Sequence, residues 1–387
     1  YAFKEIRTPI VERSELFHRT IGENTDVVSK EMYSFKDRKD QSLSLRPEAT
    51  AGIVRAGIEH SLFYNQTQKL WSMGPMYRYE RPQKGRYRQF HQINMEAFGF
   101  SGPEIDAEII LMTARIWKLL KVDNLQLEIN SLGMPVSRKK YRTQLKNYFS
   151  DHRAILDEDS LNRLENNPMR ILDSKNPDLQ SIIETAPKML DFLDTESSEH
   201  FEILKEALTA NGIPFILNDK LVRGLDYYTK TVFEWTTDQL GSQATVCGGG
   251  RYDGLVQELG GQDIPAIGCA IGVERLTELV AVSNENPQNK QPKIYIVAAG
   301  KEAQSQALVL SEKIRDLDNG VSVIMNMDGG SFKQQFKRAD KSGSDLALII
   351  GEEEIESGTV AIKSMNSDTE QKSVEEAKVL DEIKQYL

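Results

Sequence analysis

Cysteine is scarce in this chain. Its 387 residues include only Cys247 and Cys269, which lie in apolar, glycine-rich surroundings without CxxC or CxxxH spacing. This excludes a scaffold held together by disulfides and provides no zinc-ligand pattern, so we predict no metal site formed by the protein. Two isolated thiols are typical of a protein in a reducing cytoplasm.

Long apolar runs and an excess of positive charge are also absent. No apolar run approaches the roughly 20 residues that span a bilayer, so we predict no membrane partner. The 58 acidic residues outnumber the 48 basic ones and give a net charge of -10, so any contact with nucleic acid must come from local basic patches. The first residues, YAFKEIRTPI, contain neither a methionine nor a signal-peptide pattern, and we expect the chain to be truncated at its amino end.

Glycine-rich nucleotide loops are missing as well. Neither GxxxxGK[ST] nor GxGxxG follows a strand-like segment. A bound nucleotide would therefore be held by arginines and not by a P-loop or a dinucleotide-binding turn.

Several segments of the first hundred residues have clear periodicity. Residues 41–62 predict a strand, SLSL, followed by a helix whose first turn holds Pro47, Glu48 and Thr50. Residues 69–98 predict two long strands joined by the polar connector ERPQKGRYR. We therefore expect a long hairpin with a basic tip.

Changes of composition predict the domain boundaries of an α+β protein. Residues 1–134 contain the hairpin, which is expected to share one sheet with the strand-like residues of 212–282. Residues 135–211 are charged and helix-forming, which indicates an inserted helical domain. Residues 283–291 are polar and indicate a linker. In residues 292–387 the strands KIYIVAAG, SVIMNMD and DLALIIG alternate with helical patterns at 301–317, 331–341 and 374–386, which is typical of a small α/β sandwich.

Cations and aromatic residues are concentrated at the hairpin tip. Five cations fall within eleven residues: Arg78, Arg81, Lys84, Arg86 and Arg88. Such donors among tyrosines suit phosphates and bases, although a solvated charged turn has the same composition. On the following strand, alternation places Gln92, Asn94 and Glu96 on one face, which is either exposed to water or the wall of a pocket.

Two further segments combine a cation or open backbone with tyrosines. In LVRGLDYYTKTVFEW, Arg223 precedes Tyr227 and Tyr228, and its guanidinium would hold a carboxylate or a phosphate unless it pairs with Asp226. In CGGGRYDGL, residues 247–255, three consecutive glycines either let a ligand approach the backbone closely or make a flexible turn.

The remaining candidate cations lie near the carboxyl end of the chain. Arg275 lies where the strand in GCAIGVERL turns into a helix, from which it would reach a γ-phosphate or pair with Glu274 or a neighbouring acid. Lys333, Lys337 and Lys341 recur at i, i+4 spacing on a predicted helix. A solvated face is the default interpretation of such a row.

Taken together, these segments resemble the motifs of class II aminoacyl-tRNA synthetases and, more narrowly, those of the bacterial type of the histidyl-tRNA synthetase family. TPIVERSELFHRTIGENTDVVSKEMYSF is similar to the latter part of motif 1, GPMYRYERPQKGRYRQFHQINMEAFG to motif 2 and GCAIGVERL to motif 3. LVRGLDYYTKTVFEW and GGGRYDGL resemble the two histidine-specific segments. The resemblance implies a catalytic domain built on an antiparallel sheet, a helical insertion and, in residues 292–387, an anticodon-binding domain.

The resemblance also implies an activity and its partners. The family's ligase reaction is ATP-dependent activation of L-histidine to histidyl-adenylate with release of pyrophosphate, followed by transfer of the histidyl group to the 3′ end of histidine tRNA. The implied partners are ATP with Mg²⁺, L-histidine, histidine tRNA and a second copy of the chain in a homodimer formed through motif 1.

Residue roles follow from the same resemblance. Catalysis would fall to Arg78 and Arg223, and ATP would be bound by Arg78 at the α-phosphate and by Arg275 at the γ-phosphate. The residues expected to bind histidine are Glu48, Ala49, Thr50, Arg78, Gln92, Glu96, Arg223, Tyr227 and Tyr228. Among them, Glu48, Thr50 and Gln92 would face the α-ammonium group, and Glu96 and Tyr228 the imidazole nitrogens. The residues expected to bind tRNA are Arg81, Gln83, Lys84, Arg86, Lys333 and Lys337.

Two alternatives compete with this interpretation. A catalytically silent paralogue, such as a regulatory subunit of histidine biosynthesis, would bind ligand without charging tRNA, but it would need neither Arg78 and Arg275 nor residues 292–387. A synthetase for proline, threonine or glycine is disfavoured by the two histidine-specific segments.

Overall fold

The computed structural model describes residues 1–22, 25–83, 85–174, 176–225, 227–241, 245–283, 292–317, 320–327, 329–367 and 370–386. The chain divides into two compact units, Tyr1–Glu285 and Asn286–Leu387. All but the first residue of the predicted linker, 283–291, lies outside the described residues.

The first unit combines strands and helices. Its strands are β1 (Lys4–Glu5), β2 (Val11–Arg13), β3 (Ser34–Lys36), β4 (Ser42–Leu45), β5 (Gln68–Tyr77), β6 (Gln89–Phe98), β7 (Gln126–Ser131), β8 (Ile216–Leu217), β9 (Thr229–Thr236), β10 (Thr245–Arg251) and β11 (Ala266–Gly272). Its α-helices are α1 (Ser14–Ile21), α2 (Thr50–Glu59), α3 (Glu104–Leu120), α4 (Pro135–Asp151), α5 (Glu158–Asn166), α6 (Gln180–Glu184), α7 (Thr195–Ala210), α8 (Leu255–Glu258) and α9 (Val273–Ser283). A π-helical turn covers Val27–Glu31, and short 3-10 helices cover Arg153–Ile155, Pro168–Ile171, Pro177–Leu179 and Met189–Phe192.

One large sheet forms the frame of this unit. In the described ranges it has eight strands in the order β1-β5-β6-β11-β10-β9-β7-β8, and only the outer pairs β1–β5 and β7–β8 are parallel. The predicted hairpin is confirmed, since β5 and β6 pair antiparallel along their whole length. The first strand ends two residues earlier than predicted, at Tyr77, so Arg78 lies just beyond the strand. Strands β2, β3 and β4 form a separate small sheet.

The two faces of the large sheet differ in polarity. Met95 and Ala97 of β6 and Phe233 and Trp235 of β9 share an apolar core with helices α3 and α7. The residues between them in sequence, such as Glu96 and Glu234, point to the opposite face because side chains alternate along a strand. The alternation predicted for β6 is therefore confirmed.

The segment predicted as an inserted helical domain is helical and lies within the first unit. Helix α4 packs Tyr141, Leu145 and Phe149 into the core that also contains Leu70 and Phe98 of the hairpin. Helix α7 contributes Phe201, Leu204 and Leu208 to the core on the apolar face of the sheet. The limits 135–211 as a domain remain a prediction.

The predicted start of helix α2 is wrong. The helix begins at Thr50, so Pro47 and Glu48 precede its first turn. The carboxylate of Glu48 accepts hydrogen bonds from the backbone N–H groups of Thr50, at 2.6 Å, and Ala51, at 2.9 Å. It thereby occupies two of the donors that the first turn leaves without intrahelical partners.

The second unit is an α/β layer structure. Its strands are β12 (Lys293–Ala298), β13 (Ser322–Met325), β14 (Leu346–Ile350), β15 (Thr359–Ser364) and β16 (Lys372–Glu375), and its helices are α10 (Lys301–Arg315), α11 (Phe332–Lys341), α12 (Glu352–Ser357) and α13 (Val379–Lys384). In the part of this unit that is described, the sheet order is β13-β12-β14-β15-β16, parallel in its first three strands. Helices α10 and α13 pack on one face, and α11 packs on the other.

The three strands and the first two helices predicted for this unit are confirmed. The helix predicted at 374–386 is wrong in its first part, since β16 runs to Glu375 and α13 covers only Val379–Lys384. Strand β16 was not predicted. It pairs antiparallel with β15, and neither strand shows a clear alternation of buried and exposed residues. None of the helices in the described ranges has both the length and the apolar character needed to cross a membrane.

Candidate active site

A cavity of about 640 Å³ opens on the polar face of the large sheet. Of the predicted site residues, it is lined by Arg78, Arg86, Gln92, Arg223 and Arg275. These residues come from three separate stretches of the chain, which the order of strands β6, β11, β10 and β9 brings side by side. Arg170, from the 3-10 helix Pro168–Ile171, also lines the cavity, so that five arginines surround it.

Arg78 is held at the mouth of the cavity by main-chain contacts. Its backbone N–H donates to the carbonyl of Arg88, and its Nε donates to the carbonyl of Pro47 at 2.9 Å. Its guanidinium lies over the ring of Phe90, 5.3 Å from the ring centre. These contacts orient the remaining N–H groups of Arg78 without neutralising its charge.

Arg223 lines the cavity and is paired with Glu234 of strand β9. Burial opposes its charge, but Glu234 and Tyr228 together raise the pKa of Arg223 above its ordinary value. The alternative pairing partner, Asp226, lies outside the described residues. Gly248 of β10 makes room for this guanidinium, because a Cβ there would lie 2.6 Å from Arg223 Nη1.

Two of the predicted site residues have a buried polar atom without a hydrogen-bond partner among the described residues: Gln92 Oε1 and Arg223 Nε. A buried donor or acceptor without a partner costs about 1–3 kcal/mol, so such atoms are rare in folded proteins. One is an acceptor and the other a cationic donor. Together they suit a ligand that carries both an ammonium group and an anionic group.

Behind the cavity, Glu96 forms the centre of a buried polar cluster. Its Oε1 accepts a hydrogen bond from the hydroxyl of Thr50 at 2.7 Å, and its Oε2 accepts one from the hydroxyl of Tyr252. Burial raises the pKa of Glu96 to about 8, and both hydroxyl donors oppose the rise. Burial also raises the pKa of Glu48, which lies beside it.

Three tyrosine rings form one wall of this cluster. The rings of Tyr227 and Tyr228 lie 4.6 Å apart, and Tyr252 meets Tyr227 edge to face at 5.5 Å. All three are buried. Ala49 is also buried in the neighbouring core, so it offers a ligand only its main chain. The structure therefore brings the predicted histidine-binding residues together in one region.

Tyr252 was not among the predicted site residues, although GGGRYDGL contains it. It follows Arg251, which is fully buried and pairs with Asp106 of α3. Asp106 also contacts His200 Nε2 of α7 at 2.8 Å. This buried network fastens the end of β10 to the helices and so fixes the main chain that carries Tyr252. The signal that could have identified Tyr252 from the sequence was its position in GGGRYDGL, one of the two segments that resemble histidine-specific motifs.

Arg275 occupies the first turn of α9, as predicted. Its Nε donates to the carbonyl of Gly85 at 3.0 Å, and its Nη1 donates to the carbonyl of Thr245 at 2.6 Å. Burial, followed by the nearby charge of Arg86, lowers the pKa of Arg275. Glu274, which the sequence offered as an alternative partner of Arg275, accepts hydrogen bonds from the backbone and ring nitrogens of His91.

The residues predicted to contact tRNA are mainly at the surface. Arg81, Gln83 and Arg86 are exposed in the loop between β5 and β6, where Arg86 lies 3.1 Å from Glu80. Lys84 lies outside the described residues. Lys333 and Lys337 are exposed on α11, which belongs to the second unit, whereas the cavity is lined by residues of the first unit.

Known proteins match both units. A family model described as histidyl-tRNA synthetase matches residues 1–276, and one described as anticodon binding domain matches residues 293–386. Apo histidyl-tRNA synthetase from S. aureus is 36% identical to this chain, with 99% of this chain and 92% of that chain covered and a TM-score of 0.79.

Two more distant structures show the fold alone. Histidyl-tRNA synthetase from Nostoc sp. PCC 7120 is 22% identical, with 100% of this chain and 92% of that chain covered and a TM-score of 0.68. An ATP phosphoribosyltransferase regulatory subunit/histidyl-tRNA synthetase from Bacillus halodurans is 21% identical, with coverages of 90% and 89% and a TM-score of 0.62. Since the family model spans well over half of the residues and the S. aureus relative is 36% identical across nearly all of them, the chain belongs to the histidyl-tRNA synthetase family and is an aminoacyl-tRNA ligase.

Proposed function

We propose that this protein activates L-histidine with ATP to form histidyl-adenylate and then transfers the histidyl group to the 3′ end of histidine tRNA. The observation that carries the proposal is the cavity in which Arg78, Arg223 and Arg275 converge beside the unpartnered Oε1 of Gln92. Cations around a polar acceptor suit the phosphates of ATP together with the carboxylate and ammonium groups of an amino acid.

The activation step needs positioning and charge neutralisation more than a protein nucleophile. A carboxylate oxygen of histidine attacks the α-phosphorus, a new O–P bond forms, and the bond to the β-phosphate oxygen breaks so that pyrophosphate leaves with its electron pair. Arg78 and Arg223 would stabilise the charge that spreads over the α-phosphate oxygens, and Arg275 would bind the γ-phosphate. Gln92, Glu48 and Thr50 would orient the ammonium group.

Selection of histidine would rest on the buried cluster. Glu96 and Tyr228 would bind the imidazole nitrogens, and Tyr227 would line the site. Tyr252, through its hydrogen bond to Glu96, would hold that carboxyl in place. A site built to hydrogen-bond a polar side chain rejects analogues that lack it by about 10⁴-fold or more, since its own buried groups are then left unpaired.

Mg²⁺ fits this site as part of the ATP substrate and not as an ion held by the protein. Across the described part of the chain, no three His, Cys, Asp or Glu side chains are grouped so that they could hold a metal ion. Mg²⁺ is commonly bound through substrate phosphates and water, with few protein ligands.

Transfer to tRNA would use the exposed cations. Arg81, Gln83, Lys84 and Arg86 would contact the acceptor end, and Lys333 and Lys337 the anticodon arm. In the second step the terminal hydroxyl of tRNA attacks the carbonyl carbon of the adenylate, and AMP leaves. We further propose that the protein works as a homodimer in the cytoplasm.

ATP–pyrophosphate exchange with each of the twenty amino acids tests this function. We expect exchange only with histidine, and a roughly 10²- to 10³-fold lower rate in Arg223→Ala, since removal of one preorganised donor to developing charge costs about that much. Arg38→Ala serves as the control, because Arg38 is exposed and is distant from Arg223 in the sequence. Exchange with another amino acid would contradict the choice of histidine, and histidine binding without exchange would favour a regulatory role.

A further inference from the structure

The segment that carries Arg223, Tyr227 and Tyr228 has little regular structure of its own. In the described residues, no strand or helix covers the chain between the end of β8 at Leu217 and the start of β9 at Thr229. Its carbonyl groups therefore have no ladder partners, and each must be satisfied by a side chain, a loop or water. What holds this segment decides where the guanidinium of Arg223 lies.

Two arginines from residues 135–211, the helical region, donate hydrogen bonds to this segment. Arg170, in the 3-10 helix Pro168–Ile171, donates from Nη2 to the carbonyl of Gly224 at 2.7 Å. Arg138, in α4, donates from Nη1 to the carbonyl of Tyr228. One contact falls on the residue after Arg223, and the other on the last residue before β9.

The two arginines lie in a crevice between the helical region and the segment. It has a volume of about 120 Å³, and among the described residues its lining includes four arginines. The guanidinium groups of Arg138 and Arg170 are partly buried there. A charged donor to a carbonyl forms a stronger hydrogen bond than a neutral donor does, and partial burial reduces its screening by water.

We propose that Arg138 and Arg170 are positioning residues, through which the helical region holds the segment 222–228 in the geometry that activation requires. Neither residue acts on the reacting atoms in this proposal. Their hydrogen bonds fix the peptide groups on either side of the tyrosine pair, and these peptide groups aim Arg223 at the cavity. The inference rests on the proposed activation of histidine for its catalytic readout.

The same helix supplies a matched control. Arg142 lies one helical turn after Arg138 and lines the same crevice, but its Nη2 donates to the carbonyl of Asn166 at 2.9 Å, inside the helical region. Arg142→Ala removes the same charge from the same crevice without removing a contact to the segment. It separates the role of the two hydrogen bonds from that of positive charge in general.

Two measurements on the whole 387-residue chain test the proposal. In histidine-dependent pyrophosphate exchange, we expect Arg138→Ala and Arg170→Ala each to lower kcat by roughly 10- to 100-fold, with KM for ATP within about threefold, since a displacement of about 1 Å at a reacting group costs on the order of 10²-fold. In hydrogen–deuterium exchange, peptides that cover 221–230 should exchange faster in both variants. Arg142→Ala should match the wild type in both measurements.

Arg138→Lys and Arg170→Lys keep the charge and a hydrogen-bond donor, so we expect kcat to recover in part. If an alanine variant fails to fold, the lysine variant at the same position is measured in its place. Wild-type kcat and wild-type protection of 221–230 in the alanine variants would overturn the proposal, as would an equal loss in Arg142→Ala. If the wild type shows no histidine-dependent exchange, the proposed function fails, whereas the protection of 221–230 still decides whether the two arginines hold the segment.

Discussion

At the scale of single residues, a buried carboxyl dominates the site. Glu96 is 1% exposed, and its only hydrogen-bond donors among the described side chains are the hydroxyls of Thr50 and Tyr252. Two neutral donors compensate the loss of water only in part, so the protonated form is favoured and the pKa rises to about 8. A group of this kind is sensitive to pH and to the arrival of a polar ligand.

This pKa predicts how the stability of the free protein depends on pH. Between the ordinary value of 4.5 and the folded value of about 8, the folded protein keeps a proton on Glu96 that the unfolded chain has lost. The contribution of Glu96 to the free energy of unfolding is therefore full below 4.5 and falls as the pH rises through this window, by up to about 1.4 kcal/mol per pH unit.

Glu96→Gln removes this titration, so we expect its stability relative to the wild type to increase steadily from pH 5 to pH 8. Urea unfolding at intervals of pH measures the difference. Glu199→Gln, at an exposed position on α7, should show no such trend. A constant difference between Glu96→Gln and the wild type across this range would contradict the raised pKa.

At the scale of elements, the glycines of β10 explain how the sheet accommodates the site. Gly248 leaves room for Arg223, and Gly249 lies against the backbone of Gly268 on β11. Gly268 in turn leaves room for the carboxylate of Glu96. The three consecutive glycines therefore belong to a strand and not to a flexible turn. Their lack of a side chain lets Arg223 and the neighbouring strands approach the backbone of β10 closely. The sequence raised both possibilities, and only the pairing of β10 with β9 and β11 decides between them.

Gly248→Ala tests this role of the strand. Its Cβ would lie 2.6 Å from Arg223 Nη1, so the guanidinium must move away from Glu234 and the cavity. We expect a roughly 10- to 100-fold loss of kcat in histidine-dependent exchange, with a cooperative unfolding transition retained. Gly272→Ala, on the neighbouring strand, meets its nearest atom at 3.8 Å and should lose much less. Similar losses in the two variants would argue against a specific clash with Arg223.

At the scale of the whole molecule, the charge is divided between local patches and an acidic remainder. The chain has a net charge of -10, yet five arginines line the described cavity, and α11 of the second unit presents Lys333 and Lys337 on its exposed face. The two units are separately compact. This arrangement favours a division of work in which amino-acid activation belongs to the first unit and additional RNA contacts belong to the second.

The double variant Lys333→Glu, Lys337→Glu tests this division. We expect tRNA charging to fall by about tenfold or more at physiological salt, with a weaker salt dependence, because each lost phosphate contact reduces counterion release. Histidine-dependent pyrophosphate exchange should be unchanged. Lys301→Glu with Lys384→Glu makes the same change of net charge on other helices of the unit and should affect charging less. Equal losses in the two double variants would show that the effect comes from the overall charge of the unit and not from contacts made by Lys333 and Lys337.

The local patterns of the sequence determined the elements of this protein and the segments that carry its chemistry. The hairpin β5–β6, the polar face of β6, the strand-to-helix turn at Arg275 and the α/β alternation of the second unit all follow from periodicity over a few residues. The family followed from five motif-like segments in order. The predicted start of α2 was wrong because the side chain of Glu48 accepts hydrogen bonds from the N–H groups of the first turn, so the helix begins only at Thr50.

Only the tertiary structure decided which side chains meet. Tyr252 reaches Glu96 across 156 positions of sequence, Arg170 reaches Gly224 across 54, and His91 reaches Glu274 across 183. Such pairs depend on the register of strands and on where helices pack, and these are determined by the burial of apolar faces over the whole unit. A local pattern therefore identifies the residues able to form a site, whereas long-range packing selects the partners that orient them.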